Sequence, residues 1–197
     1  MIVATRFAAA DAHYPPSGGG NATLVVSRDA DFSTITEQHS VWLDEVADYV
    51  PGRFYERELP ALAALLADVD PLDVLVVDGY VDLDPHGTPG LGRHVWDADL
   101  APVVIGVAKT RFHAATHAEP VLRGASKRPL YVTAVGIPRA EAADLVRGMS
   151  GSARLPDALR IVDRLARSAS SGLMSTHPRG DRRHPGPRRQ TGDCDTL

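Results

Sequence analysis

Apolar residues follow two rhythms along this chain. Short continuous runs lie at 2–9, 22–27 (ATLVVS), 72–77 (LDVLVV), 102–107 (PVVIGV) and 130–135 (LYVTAV), with a mixed run at 32–41. Runs of this length, bounded by turn residues, predict β-strands, and the unbroken ones predict strands covered on both faces. Helical spacing takes over at 56–66, where 59, 62, 63, 65 and 66 are apolar, and at 156–167, where Leu159, Ile161, Val162, Leu165 and Ala166 form one face. Pro60 falls early in the 56–66 helix, where proline is tolerated. Shorter helices are predicted at 90–97 and 138–149. The first three strands are joined by PPSGGG and RDAD, links of hairpin type, and strands then alternate with helices. That order predicts an α/β fold, a mixed sheet with helices on its faces.

The rhythm stops after residue 168. Residues 169–197 are dominated by Pro, Gly, Arg, Ser and Asp, with five arginines against three aspartates. Such a stretch buries too little to offset its ordering entropy, so a disordered tail is expected after one domain at 1–168. The tail serves either as a solvated appendage or as an arm adding phosphate contacts.

Composition narrows the function classes. The chain has 197 residues, 44% of them apolar and 23% charged, the balance of a soluble globular protein. A single cysteine, Cys194, excludes a disulfide framework and a Cys-rich zinc site. No apolar run approaches the length of a membrane span, and the N-terminus does not read as a signal peptide, so a cytoplasmic location is expected. A net charge of −4, with no basic face legible in the body, argues against coating nucleic acid by charge alone.

The candidate chemistry lies at predicted strand ends. Asp78 closes LDVLVV and precedes Gly79, and ligands of open α/β sheets gather at such carboxyl ends. Aspartate there also simply caps turns. Asp11 repeats the arrangement after the first strand. If the two strands are neighbours, their carboxylates converge and repel unless a cation lies between them. Oxygen donors without cysteine point to Mg²⁺, with Mn²⁺ as a substitute, rather than zinc. Glu58 is a third candidate, against the plainer reading that Glu56 and Glu58 favour a helix N-terminus. Asp163, a poor helix former amid Ile161, Val162 and Leu165, is either a ligand or a surface partner of Arg160 or Arg167. Lys109 follows PVVIGVA, where a cation suits a phosphate or developing negative charge. Asp82 and Asp84 have the D-x-D look of a calcium loop but lack its closing glutamate. No P-loop or G-x-S-x-G is present, and the scattered histidines show no paired metal spacing.

Together these pieces resemble the endonuclease V family over roughly residues 2–167. The match rests on VLVVDG at 74–79, IGVAKTR at 105–111, YVPGRFYERELP at 49–60 and RLPDALRIVDRLAR at 154–167. The resemblance implies a ribonuclease-H-like fold with Asp11 and Asp78 side by side, and a metal-dependent endonuclease cutting 3′ of deoxyinosine or inosine in DNA repair. It implies Asp11, Glu58, Asp78 and Lys109 as catalytic residues, and Asp11, Asp78 and Asp163 as ligands of Mg²⁺. The ion would polarise the phosphate and activate a water. Tyr49, Val50 and Pro51 match the family's wedge, and Gly79 and Gly136 its inosine pocket. The implied partner is inosine-containing DNA or RNA, bound by a monomer.

Three features depart from the family. Asp84-Pro85 stands where the family carries His-Pro, the chain begins almost on its first strand, and the 109–130 segment is short, so a hairpin there is expected to be trimmed. Two other readings stand beside the nuclease: a nucleic-acid-binding module that has lost catalysis, and a small-molecule hydrolase using the acidic cluster.

Overall fold

In the computed structural model, which describes residues 5–50 and 53–168, a seven-stranded sheet has the order β3-β2-β1-β4-β5-β7-β6. The strands are β1 (Phe7–His13), β2 (Gly20–Ser27), β3 (Ile35–Leu43), β4 (Val74–Asp78), β5 (Val103–Ala108), β6 (Glu119–Val121) and β7 (Leu130–Val135). The helices are α1 (Tyr55–Leu66), α2 (Leu91–Asp97), α3 (Arg139–Gly148) and α4 (Asp157–Ser168). Strands β1, β4 and β5 run parallel at the centre, and β2 and β7 pair antiparallel on either side. The mixed α/β sheet read from the sequence is the one observed.

Alternation along the central strands divides the core in two. Val74 and Val76 of β4, with Ile105 and Val107 of β5, face α3 and α4 through Ala143, Val146, Leu159 and Val162. Leu75, Val77 and Val104 face α1 and α2 through Leu62, Leu65, Leu91 and Val95. Each strand therefore needs apolar residues at both parities, which is why its sequence shows no alternation. Ile105 is fully buried, so cutting it to alanine costs about 2–5 kcal/mol.

Several boundaries move from their sequence positions. The first strand, read at 2–9, is Phe7–His13, with residues 1–4 outside the described set. Asp11 therefore lies within β1 rather than after it. The β1–β2 ladder continues through Asp11↔Thr23 to His13↔Asn21, whereas the β1–β4 ladder ends at Ala10↔Val77. Hydrogen bonding on one side alone carries the strand past its apolar run. The third strand begins at Ile35, not 32, because Phe32 adopts φ 54° in a turn closed by its N–H to the Asp29 carbonyl. Phe32 is buried against the edge of Phe7. Pro60 sits past the first turn of α1, inside the helix. The 109–130 segment, where a hairpin was expected to be trimmed, contains a three-residue strand, β6, paired with β7. The predicted tail at 169–197 lies outside the described residues.

Candidate active site

The parallel pairing of β1 with β4 brings Asp11 and Asp78 to adjacent carboxyl ends of the sheet. By parity both follow the α4 side, since Ala9 and Val76 belong to that core. Lys109, one residue beyond β5, donates from Nζ to Asp78 Oδ2 at 2.6 Å. Leu155, Leu159 and Val162 wall a small cleft with Asp11, Asp78 and Lys109, in which Asp78 and Lys109 remain partly exposed. Glu58 approaches from α1 and is buried, 6% exposed. Asp163 approaches from α4, held at both carboxylate oxygens by Arg167 at 3.2 Å.

Electrostatic coupling ties these groups together. Burial pushes the Asp11 carboxyl up to about 7, with the charge of Asp78 adding to the effect. Burial, then Asp11 and Asp78, push Glu58 up to about 9. Burial pulls Lys109 down, but its bond to Asp78 and the charges of Asp78, Asp11 and Asp163 leave its pKa raised. Asp163 is held below the usual carboxylate range, first by its bond to Arg167. Mutual repulsion among hard oxygen donors suits a divalent cation, which would favour their charged forms. Among the described residues, no three Asp, Glu, His or Cys groups already form a coordination shell. Two carboxylates are instead engaged by cations of the chain itself, Asp78 by Lys109 and Asp163 by Arg167.

Two polar residues escaped notice in the sequence. Thr23, fully buried on β2 and opposite Asp11, donates to the Val162 carbonyl at 2.9 Å. Asn21, two residues earlier, donates to the Leu165 and Ala166 carbonyls. Together they fasten the last turns of α4 to the sheet and set where Asp163 stands. Their signal was polarity at alternate positions within an otherwise apolar strand.

The remaining sequence candidates separate. Gly79 has φ +130° with open space where a side chain would project. Its N–H donates to the Val107 carbonyl, beside the carboxylates. Gly106 makes this crossing possible, because a Cβ there would stand 2.7 Å from the Gly79 carbonyl oxygen. Gly136 lies elsewhere. It follows the Val104↔Val135 pair, and a Cβ on it would meet Pro102 and Val103 at the opposite end of β5. Tyr49 and Val50 are exposed, and Tyr49 meets Phe54 edge-on at 6.1 Å. Pro51 lies outside the described residues. Asp84 accepts from the His86 and Thr88 amides and caps its own loop, while Asp82 is held bidentately by Arg93. Neither is free to serve a calcium loop.

The model of the endonuclease V family matches residues 3–137. No curated protein matches the chain. Among solved structures, endonuclease V from Streptomyces avermitilis is similar at 27% identity and TM-score 0.70, covering 84% of this chain and 82% of that one. Human endonuclease V is similar at 24% identity and TM-score 0.66, covering 83% of each chain. Ciona intestinalis endonuclease V, solved with a 23-mer DNA containing an inosine, is similar at 16% identity and TM-score 0.66, covering 83% of this chain and 84% of that one.

Proposed function

The chain belongs to the endonuclease V family, and from that premise we propose that it is a metal-dependent endonuclease hydrolysing a phosphodiester bond 3′ of deoxyinosine or inosine. The proposal includes a role in DNA repair, performed by a monomer in the cytoplasm. One observation carries it: Asp11 and Asp78 meet at adjacent strand ends, with Lys109 bonded to one of them and Glu58 within their field. The Ciona relative solved on inosine-containing DNA supports the same substrate here.

Asp11, Asp78 and Asp163 would hold Mg²⁺ or Mn²⁺, with Glu58 beside them. The bound ion supplies Lewis acidity to the phosphate and a water made more nucleophilic at neutral pH. The chain's own groups do the rest. Lys109, released from Asp78, faces the charge that builds on the phosphate. The exposed Tyr49 and Val50, with Pro51, form the wedge that parts the lesion from its neighbour, at a cost of a few kcal/mol of stacking. Gly79 leaves room for the extruded base against backbone. Gly136 is omitted from this pocket because Pro102 and Val103 surround it at the far end of the sheet.

The test uses a labelled strand with one deoxyinosine and its adenine control, with Mg²⁺ or with chelator, and the Asp78→Asn variant in parallel. The expected result is a metal-dependent cut 3′ of the inosine, lost in the variant. A folded wild-type protein that never cuts would overturn the reading.

A further inference from the structure

Lys109 stands one residue past the end of β5, and both neighbouring ladders stop before it. The β4–β5 ladder ends at Asp78↔Val107 and the β5–β7 ladder at Ala108↔Tyr131. Pro129, just before β7, has no N–H with which to carry that ladder on. A lysine ammonium rides on a long flexible stem, so its aim depends on how well its backbone is fixed. The peptide that follows is held by Tyr80, whose hydroxyl donates to the Thr110 carbonyl at 2.8 Å and accepts from the Phe112 amide at 2.9 Å. The group that holds Lys109 itself comes from a remote part of the chain.

That group is Arg154, in the connection between α3 and α4. Its Nη2 donates to the carbonyls of both Lys109 and Pro129, the second at 2.8 Å. One nitrogen thus closes the open end of the β5–β7 pair, where ladder bonds have stopped. The next residue, Leu155, walls the cleft that holds Lys109.

The connection is in turn held by the β6–β7 hairpin. Arg123, two residues after β6, is 6% exposed and donates to five carbonyls between Arg147 and Ala153. A buried guanidinium is costly unless its donors are satisfied, and here backbone carbonyls satisfy them. Gly124 lies so close to the connection that a Cβ on it would strike the Ser152 carbonyl oxygen. Ser150 adds an N–H bond to the Asp31 carbonyl at 2.6 Å. The hairpin therefore grips the connection through Arg123, and the connection grips the hairpin and β5 through Arg154.

We propose that Arg154 is a positioning residue for Lys109. By joining the Lys109 and Pro129 carbonyls it fixes the end of β5, so that the ammonium is aimed at the phosphate. Arg123 keeps Arg154 in place through the α3–α4 connection. The inference rests on the nuclease reading. It also gives the short segment after β5 a task, since Lys109 and Pro129 are its two ends and one guanidinium clasps them together.

The experiment uses the full-length chain with Arg154→Met, Arg154→Lys, Lys109→Met and the pair Arg154→Met with Lys109→Met, folding being checked by thermal melting. Single-turnover cleavage of an inosine strand is followed with Mg²⁺ and excess protein. Arg154→Met should lower the maximal rate by about ten- to a hundredfold, while the half-saturating protein concentration stays within about twofold. Arg154→Lys, which still donates from a shorter stem, should recover part of the loss. In the Lys109→Met background, Arg154→Met should change the rate by less than about twofold, because the group it places is gone. A second readout needs no cleavage. Lys109 and Lys127 are the only lysines in the 197-residue sequence, so protein labelled with ¹³C-lysine gives two side-chain Cε signals, and Lys109→Met identifies one of them. In metal-free protein, Arg154→Met should move the Lys109 signal toward that of the exposed Lys127. An unchanged Lys109 signal, or an equal loss of rate with and without Lys109, would overturn the inference. So would a raised half-saturating concentration at full maximal rate, which would make Arg154 a substrate contact. Failure of the wild type to cut would bring down the nuclease reading instead, and the lysine signals would still tell whether Arg154 fixes Lys109.

Discussion

Glu58 and Asp163 approach one cleft from opposite faces of the sheet, and the fold treats them in opposite ways. Glu58, on α1, is buried and forms no ion pair with a basic side chain among the described residues, so its carboxyl is pushed up to about 9. Asp163, on α4, leans on Arg167 at the surface and is held below the usual range. The same functional group is thus a strained acid on one face and a settled anion on the other. The difference shows what a bound cation would do at each place. At Glu58 it would supply a counter-charge that the chain withholds, and at Asp163 it would compete with one the chain already provides.

The comparison can be broken at its centre first. Asp78→Asn removes the carboxylate bonded to Lys109, and cleavage should fall by about a hundred- to a thousandfold, the range for losing a preorganised charged group, with the melting temperature nearly unchanged. A variant retaining a tenth of wild-type activity would remove Asp78 from the site.

Glu58→Gln should act next, on stability. An acid whose pKa rises from 4.5 to about 9 on folding contributes fully below pH 4.5 and loses that contribution as pH climbs toward 9. The neutral variant escapes the loss. Its melting temperature should exceed wild type at pH 8, by about 2–4 °C for each kcal/mol relieved, and should match wild type at pH 4. Mg²⁺ should raise the wild-type melting temperature more than the variant's. A variant less stable at pH 8 would show that Glu58 is satisfied in the fold.

Thr23→Val probes how the Asp163 face is held. Losing the buried bond to the Val162 carbonyl should cost about 0.5–1.5 kcal/mol, the net value of one hydrogen bond, because that carbonyl inside α4 still accepts the helical bond from Ala166, and calorimetry would show it. Cleavage should fall with it if α4 shifts, with the divalent requirement moved to higher concentration.

Arg167→Gln should have the smallest effect on stability. Its pair with Asp163 is a partly exposed i,i+4 contact, worth about 0.3–0.5 kcal/mol. Removing it should tighten Mn²⁺ binding, measured by titration, because Asp163 is freed of its competing cation. Weaker binding would mean that Arg167 orients Asp163 rather than occupying it.

The sequence was most legible where a signal was local. Unbroken apolar runs marked β4, β5 and β7 within two residues, and helical spacing marked α1 and α4. Asp78 and Lys109 were legible because each directly ends such a run. Asp11 was a candidate in the sequence, but its setting was misjudged, since pairing with β2 carries β1 beyond its apolar stretch. Gly136 entered through resemblance alone and stands apart from the carboxylates, because β7 runs antiparallel and carries its C-terminal end away from them.

What the sequence determined by itself was most of the elements, all but β6, and which side chains to consider for the site, because periodicity and side-chain identity are properties of neighbours along the chain. The tertiary structure decided everything that depends on distance between remote residues. It buried Glu58 while leaving Asp163 partly exposed, used Thr23 and Asn21 to fasten α4, and paired Asp78 with Lys109. Coulomb energy and desolvation depend on separation and depth in space, and strand order, rather than residue order, sets both.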